Sequence, residues 1–216
     1  HFAPATAGTS TSTLAAGGET PGQTANSETW NGTAWTEGGN LPAADGANNG
    51  AGTVTAALSM GGVPSKTAVN GYDGTSWSTG AGDMNTARYN AGSMGTQTAA
   101  IIFGRQPAIT TTESYNGSSW TAVNSLNVAR DMGEGAGTQA LGLAMGNYPN
   151  TTVVEKWDGT SWTVAATLAT ARGSISSIGT GTAALAAGGG GPVTPDSALT
   201  EEWNDPVYTI KTVTVS

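Results

Sequence analysis

The sequence predicts an all-β chain, a five-bladed β-propeller with about four antiparallel strands per blade and essentially no helix. Three observations predict it. A unit of about 42 to 44 residues recurs five times along the 216 residues. Each unit carries turn signals at fixed offsets, and no segment sustains the apolar period of an amphipathic helix.

The elements follow in order within each unit. Gly8-Thr9, Gly52-Thr53, Gly95-Thr96, Gly137-Thr138 and Gly179-Thr180 mark the first turn, with the first strand before it. Nine residues later another glycine ends the second strand, at Gly17, Gly61, Gly104, Gly146 and Gly188. The run Thr98–Phe103 shows why: it is apolar, β-branched in part and bounded by glycines, as a buried strand is. A third strand ends in an aromatic, Trp30, Tyr72, Tyr115, Trp157 or Trp203. A fourth begins five residues after the first four of these, at Trp35, Trp77, Trp120 and Trp162, spaced 42, 43 and 42 residues apart. Between the two aromatics sits Asn31-Gly32, Asp73-Gly74, Asn116-Gly117 or Asp158-Gly159, a strong hairpin signal. The units run approximately 1–43, 44–86, 87–128, 129–170 and 171–216 and make one domain, 1–216.

Composition narrows the function. Gly is 33 of 216 and charged residues only 10%, yet 7 Trp recur in register, which argues against disorder. The net charge is −8 with seven Lys and Arg and no basic cluster, so no nucleic-acid footprint is present. No apolar run is long enough to span a membrane, so no membrane insertion is expected. There is no Cys and the one His is His1, which leaves no thiolate or histidine metal site and no Ser/His/Asp set. No cofactor and no catalytic residue is expected.

With the motifs "LAAGG…ETWNGTAW", "LSMGG…NGYDGTSW", "IIFGR…ESYNGSSW", "LAMGN…EKWDGTSW" and "LAAGG…EEWNDPVY", the chain resembles the kelch-repeat family over its whole length. The resemblance implies a kelch-like propeller, although the repeat is shorter than the usual kelch unit of about 50 residues. The Thr-Ala-Arg lead-in and the Gly/Ala/Thr-rich strands are similar to degenerate kelch-like repeats of bacteriophage tail-fibre and other virion proteins.

Arg88, Arg130 and Arg172 each lie sixteen residues before their glycine, and Glu28, Glu113, Glu155 and Glu201 each lie two before the first aromatic. In the second unit both signals vanish together, to Asp45 and Asn70; in the first, His1 holds the Arg position. Joint loss is what a partly buried ion pair shows, because orphaning one charge costs about 3–5 kcal/mol whereas replacing both costs little. These residues are therefore read as structural, as are Trp35, Trp77, Trp120 and Trp162, which flank a hairpin at repeat-fixed positions.

Function on a repeat scaffold resides in the loops that differ. The stretches between glycine and aromatic all contain proline and are expected to stand at one rim as semi-rigid loops. The first and fifth are longest, and they meet if the ring closes. Glu19, Gln23, Asn26, Pro192, Thr194 and Asp196 are the candidate contact residues. The tail Tyr208–Val215 alternates apolar with Thr or Lys and is expected to complete the last blade.

The expected function is that of a non-enzymatic structural or adhesive display module, a virion-surface or fibre component in assembly or host attachment. The alternative is a secreted, lectin-like carbohydrate-binding propeller; a hydrolytic propeller enzyme ranks below both. Expected partners are other structural proteins of the same particle or a cell-surface glycan, at a virion surface or outside the cell. The chain begins at His1 rather than Met, and it is expected to belong to a larger assembly or a longer chain.

Overall fold

Turn chemistry cuts this chain into strands, and the computed structural model, described over residues 4–19, 21–190 and 197–205, follows those cuts. Blade 1 holds β1 (Ala5–Thr9), β2 (Ser12–Ala16), β3 (Ser27–Trp30) and β4 (Trp35–Glu37). Blade 2 holds β5 (Asn49–Thr53), β6 (Ala56–Met60), β7 (Val69–Tyr72) and β8 (Trp77–Thr79). Blade 3 holds β9 (Gly92–Thr96), β10 (Ala99–Phe103), β11 (Thr112–Tyr115) and β12 (Trp120–Val123). Blade 4 holds β13 (Glu134–Gly137), β14 (Gly142–Met145), β15 (Glu155–Trp157) and β16 (Trp162–Val164). Blade 5 shows three strands among the described residues, β17 (Ser176–Gly179), β18 (Ala183–Ala187) and β19 (Thr200–Asn204). The expected tail strand lies outside the described residues. Each blade is an antiparallel meander in chain order, and no helix occurs among the described residues. The fold is an all-β, five-bladed propeller.

Both turn types have a physical reason. The β5–β6 register pairs Thr53 with Ala56, leaving two residues in the turn. Gly52 takes φ 119° there, and a Cβ on it would lie 2.2 Å from the Ala56 carbonyl oxygen, so only glycine fits. The aromatic hairpins pair Tyr115 with Trp120 across four residues rather than two. The Asn116 Oδ1 closes that loop by accepting from the Ser118 and Ser119 N–H groups at 3.0 and 2.9 Å. Asp73 does the same for Thr75 and Ser76, and Asp158 for Thr160 and Ser161.

Strand alternation builds the core between blades rather than within them. In β10, Ala100 and Ile102 pack with Leu58, Met60 and Val69 of blade 2. Ile101 and Phe103 point the other way, onto Trp157 and Trp162 of blade 4. Blades 1 and 2, and blades 4 and 5, repeat the arrangement. Leu41, Met84, Leu126 and Leu168, on the connections between blades, plug these four interfaces from one side. The inner strands β1, β5, β9, β13 and β17 surround a central channel.

Candidate functional site

The repeat-fixed charges are spent inside the scaffold. The connection from β8 to β9 carries Asn85-Thr86-Ala87-Arg88. The Arg88 backbone belongs to blade 2: its N–H donates to the Lys66 carbonyl at 2.9 Å, and its carbonyl accepts from Gly62 at 2.8 Å. Its side chain belongs to blade 3, donating from Nη1 to the Gly104 carbonyl at 2.6 Å and from Nη2 to Glu113 Oε1 at 3.0 Å. The sixteen-residue offset is thus a hydrogen bond that staples two blades. Glu113 also accepts from the Asn85 N–H at 2.7 Å, the Asn85 amide at 2.9 Å and the Thr86 N–H at 3.0 Å. Burial works to raise the Glu113 carboxyl, but the bonds from Asn85 and Arg88 outweigh it and hold it below its ordinary value.

Arg130 and Glu155 repeat the pair at 3.3 Å, with Asn127 in the place of Asn85. Arg172 and Glu201 repeat it at 2.9 Å, where Ala169 replaces the asparagine and Glu201 is partly exposed. Blade 2 carries the reverse pair: Asp45 on the connection meets Lys66 on the loop at 3.0 Å. Glu28 lies half-buried on β3.

Of the repeat-fixed tryptophans, Trp77, Trp120 and Trp162 are buried, each packed on the preceding blade. Trp35 differs, at 50% exposed. Two glutamines had no place in the sequence reading and also tie blades together. Gln97 donates to the Tyr72 carbonyl at 2.6 Å, and Gln139 to Ser114 Oγ at 2.8 Å. Their signal was the residue after each Gly-Thr, but it is Gln in only two of five units.

The proline-containing loops, as far as their residues are described, lie at the face where the connections enter the inner strands. Val63, Gln106, Tyr148 and Gly190 each donate a backbone N–H to the connection of their own blade, at Gly46, Tyr89, Asp131 and Gly173. Glu19 reaches the mouth of the channel on this face, and Gln23 donates to the Val63 carbonyl at 3.4 Å. Asn26 is exposed at the base of its loop. Pro192, Thr194 and Asp196 lie outside the described residues.

The channel has two ends. The mouth on the loop face is a cavity of about 530 Å³, and the far end one of about 360 Å³. Pro4, Thr6, Asn48, Asn49 and Glu134 line both and so form the waist. The rim is built from residues in left-handed backbone: Ala47, Asn90, Met132 and Ser174 take φ from 49 to 52°. Bonds from the Asn90 N–H to the Ala47 carbonyl at 3.1 Å, and from Met132 to Asn90 at 2.9 Å, join them blade to blade. Non-glycine residues in this region are uncommon and persist only where the surroundings fix them, so the rim is pre-shaped.

The mouth collects the departures from the repeat. At the register of Glu134 the other units hold Ala5, Asn49, Gly92 and Ser176; at that of Tyr89 they hold Phe2, Gly46, Asp131 and Gly173. Tyr89, half-buried, lines the mouth, and the Glu134 carboxyl faces the channel with no hydrogen-bond or ion-pair partner among the described residues. Enclosure by the surrounding blades pushes that carboxyl up to about 8. Asp131, on the connection that leads into β13, is raised by burial to about 6. No trio of acidic or histidine side chains suited to a metal ion comes together among the described residues. Comparison of the chain with known protein families and with curated proteins finds no match.

Proposed function

We propose that the chain is a non-enzymatic display module that attaches through the loop-bearing face of the propeller, around the channel mouth, to a glycan on a cell surface. One observation carries the reading. The charges kept from unit to unit are consumed in blade-to-blade pairs, whereas the polar residues that break the repeat, Asn49, Glu134 and Tyr89 among them, gather at one pre-shaped mouth. Selection for folding alone explains the first set and leaves the second without a role.

Among the described residues the mouth is lined by amides, hydroxyls, one tyrosine, the Glu19 and Glu134 carboxyls and apolar Val63, Met132 and Ile175, and by no Lys, Arg or His, which suits a polyhydroxylated ligand and disfavours phosphate or sulfate. A hydrolytic role would need carboxylates flanking a bond; Glu113, Glu155 and Glu201 are instead held by arginines. The similarity to kelch-like repeats of phage fibre proteins supports a place on a virion surface, with particle proteins as the other neighbours. A secreted lectin-like propeller is the second form of the same chemistry.

A screen of the purified chain against cell-envelope polysaccharides and simple glycans tests the reading. Saturable binding that weakens when Glu19, Gln23 and Asn26 are replaced together by alanine supports it. No binding to any glycan replaces it with a spacer or assembly role.

A further inference from the structure

We propose that the channel mouth binds an amino sugar carrying a free ammonium group, with Glu134 as the counterion of that group. The inference rests on the glycan reading above and names the ligand class.

Among the described residues lining the two ends of the channel, the ionisable ones are Glu19, Tyr89 and Glu134. None can carry positive charge. Glu134 is a half-buried carboxyl on the channel wall that faces no cation among the described residues, and its charged form is disfavoured until one arrives. The cation is not a divalent metal, because Ca²⁺ takes about six to eight oxygen ligands and Mg²⁺ demands an octahedral set, and no trio of acidic or histidine side chains gathers among the described residues to supply them. An ammonium needs one counter-charge and a few acceptors, which Thr6, Asn49 and Ser176 carry on other blades lining the same mouth. Asn48 is excluded from that role: its amide is occupied by Ala5, Ala16 and Ser59. Tyr89 presents a ring at the mouth, on which the apolar face of a sugar can pack. The cavity of about 530 Å³ lies within the size range of small-ligand sites.

The protons balance simply. Below about pH 8 the Glu134 carboxyl holds its proton. A protonated amine entering the site converts it to a carboxylate, and one proton leaves to solvent. Glu19 and Tyr89 line the same mouth and Asp131 lies three residues before Glu134 on the connection into β13, so a variant at Glu134 is needed to assign the proton.

The test is calorimetric titration of the whole chain with glucosamine trimer at about pH 6, in two buffers of different ionisation heat. N-acetylglucosamine trimer, glucose trimer and n-butylamine serve as comparison probes. The expected result is preference for the glucosamine trimer and release of close to one proton. E134Q should lower its affinity about ten- to a hundredfold and abolish the release, with thermal unfolding still cooperative. Y89A, which touches no charge, should weaken the sugar several-fold and leave n-butylamine unchanged. Equal binding of all three trimers, or an E134Q chain that binds like the parent, overturns the inference and leaves the glycan reading standing. Butylamine binding as tightly as the trimer overturns the sugar part. No binding of the glucosamine trimer overturns the whole inference, and the glycan reading falls with it only if every envelope polysaccharide also fails.

Discussion

Arg130 and Glu155 are 1% and 0% exposed, and each satisfies the other while also holding backbone groups of the adjoining chain. A pair so placed is costly to break and cheap to replace, because the penalty is the orphaned charge rather than the lost attraction. R130M or E155Q alone is expected to cost about 3–5 kcal/mol in denaturant unfolding. The R130M/E155Q double variant should cost well below the sum, and strict additivity in that cycle would show that the two do not act as a pair. Glu134 sets the opposite trend. Its folded pKa of about 8 lies above the ordinary 4.5, so the native state holds the proton more tightly. The stability linked to it is fully present below about pH 4.5 and is lost as pH rises toward 8. Urea unfolding of the parent chain should therefore decline across that window relative to E134Q; parallel pH profiles would contradict a raised carboxyl.

At the level of strands and connections, the sequence was most legible where one residue type has one physical use. Each Gly-Thr turn needs positive φ, and each Asn or Asp before glycine closes a hairpin with its own side chain, so strand order within a blade could be read directly. The pairing of Arg with Glu was legible because both were lost together in one unit. The rest was hidden for a physical reason. Asn85 and Asn127 work through contacts 28 residues away, and with Ala169 in the equivalent place no repeat pattern announces them. The channel mouth was harder still, since Asn49, Tyr89 and Glu134 come from different blades and are departures from the pattern rather than part of it. Three variants test these connections. Asn127→Ala removes the amide that donates to Glu155 and to the Trp162 carbonyl, leaving partly buried acceptors short of a donor; a loss of about 1–3 kcal/mol is expected by chemical denaturation. Asn85→Ala should match it, and Ala169→Asn in blade 5 should stabilise if that connection follows the same geometry.

Around the ring, the described residues of four blade interfaces pack alike, and those of the seam between blades 5 and 1 do not. Leu14, Leu58, Ile101 and Leu143 occupy one register, each buried against the following blade, whereas Leu185 at that register is 42% exposed. Ile178 is 55% exposed where its equivalents Ala7, Ala51, Met94 and Ala136 are buried, and Trp35, which faces blade 5 by register, is open as well. The inner strands suggest why. Thr6, Gly50, Ser93, Gly135 and Ser177 share a register, and the glycines let backbones approach: a Cβ on Gly50 would lie 2.2 Å from the Thr6 carbonyl oxygen, and one on Gly135 2.4 Å from that of Ser93. Ser93 and Ser177 then donate to the Gly50 and Gly135 carbonyls at 2.8 and 3.2 Å. Side chain and glycine alternate from β1 to β17, but an odd number of strands cannot alternate throughout, so the seam between Ser177 and Thr6 has no glycine at this register. Stability should follow this asymmetry. Leu143→Ala is expected to cost about 2–5 kcal/mol, while Leu185→Ala, already wet, should cost under about 1 kcal/mol. Amides of β17 should exchange with solvent faster than those of β9, and equal protection would mean that the seam between blades 5 and 1 is packed as tightly as the others.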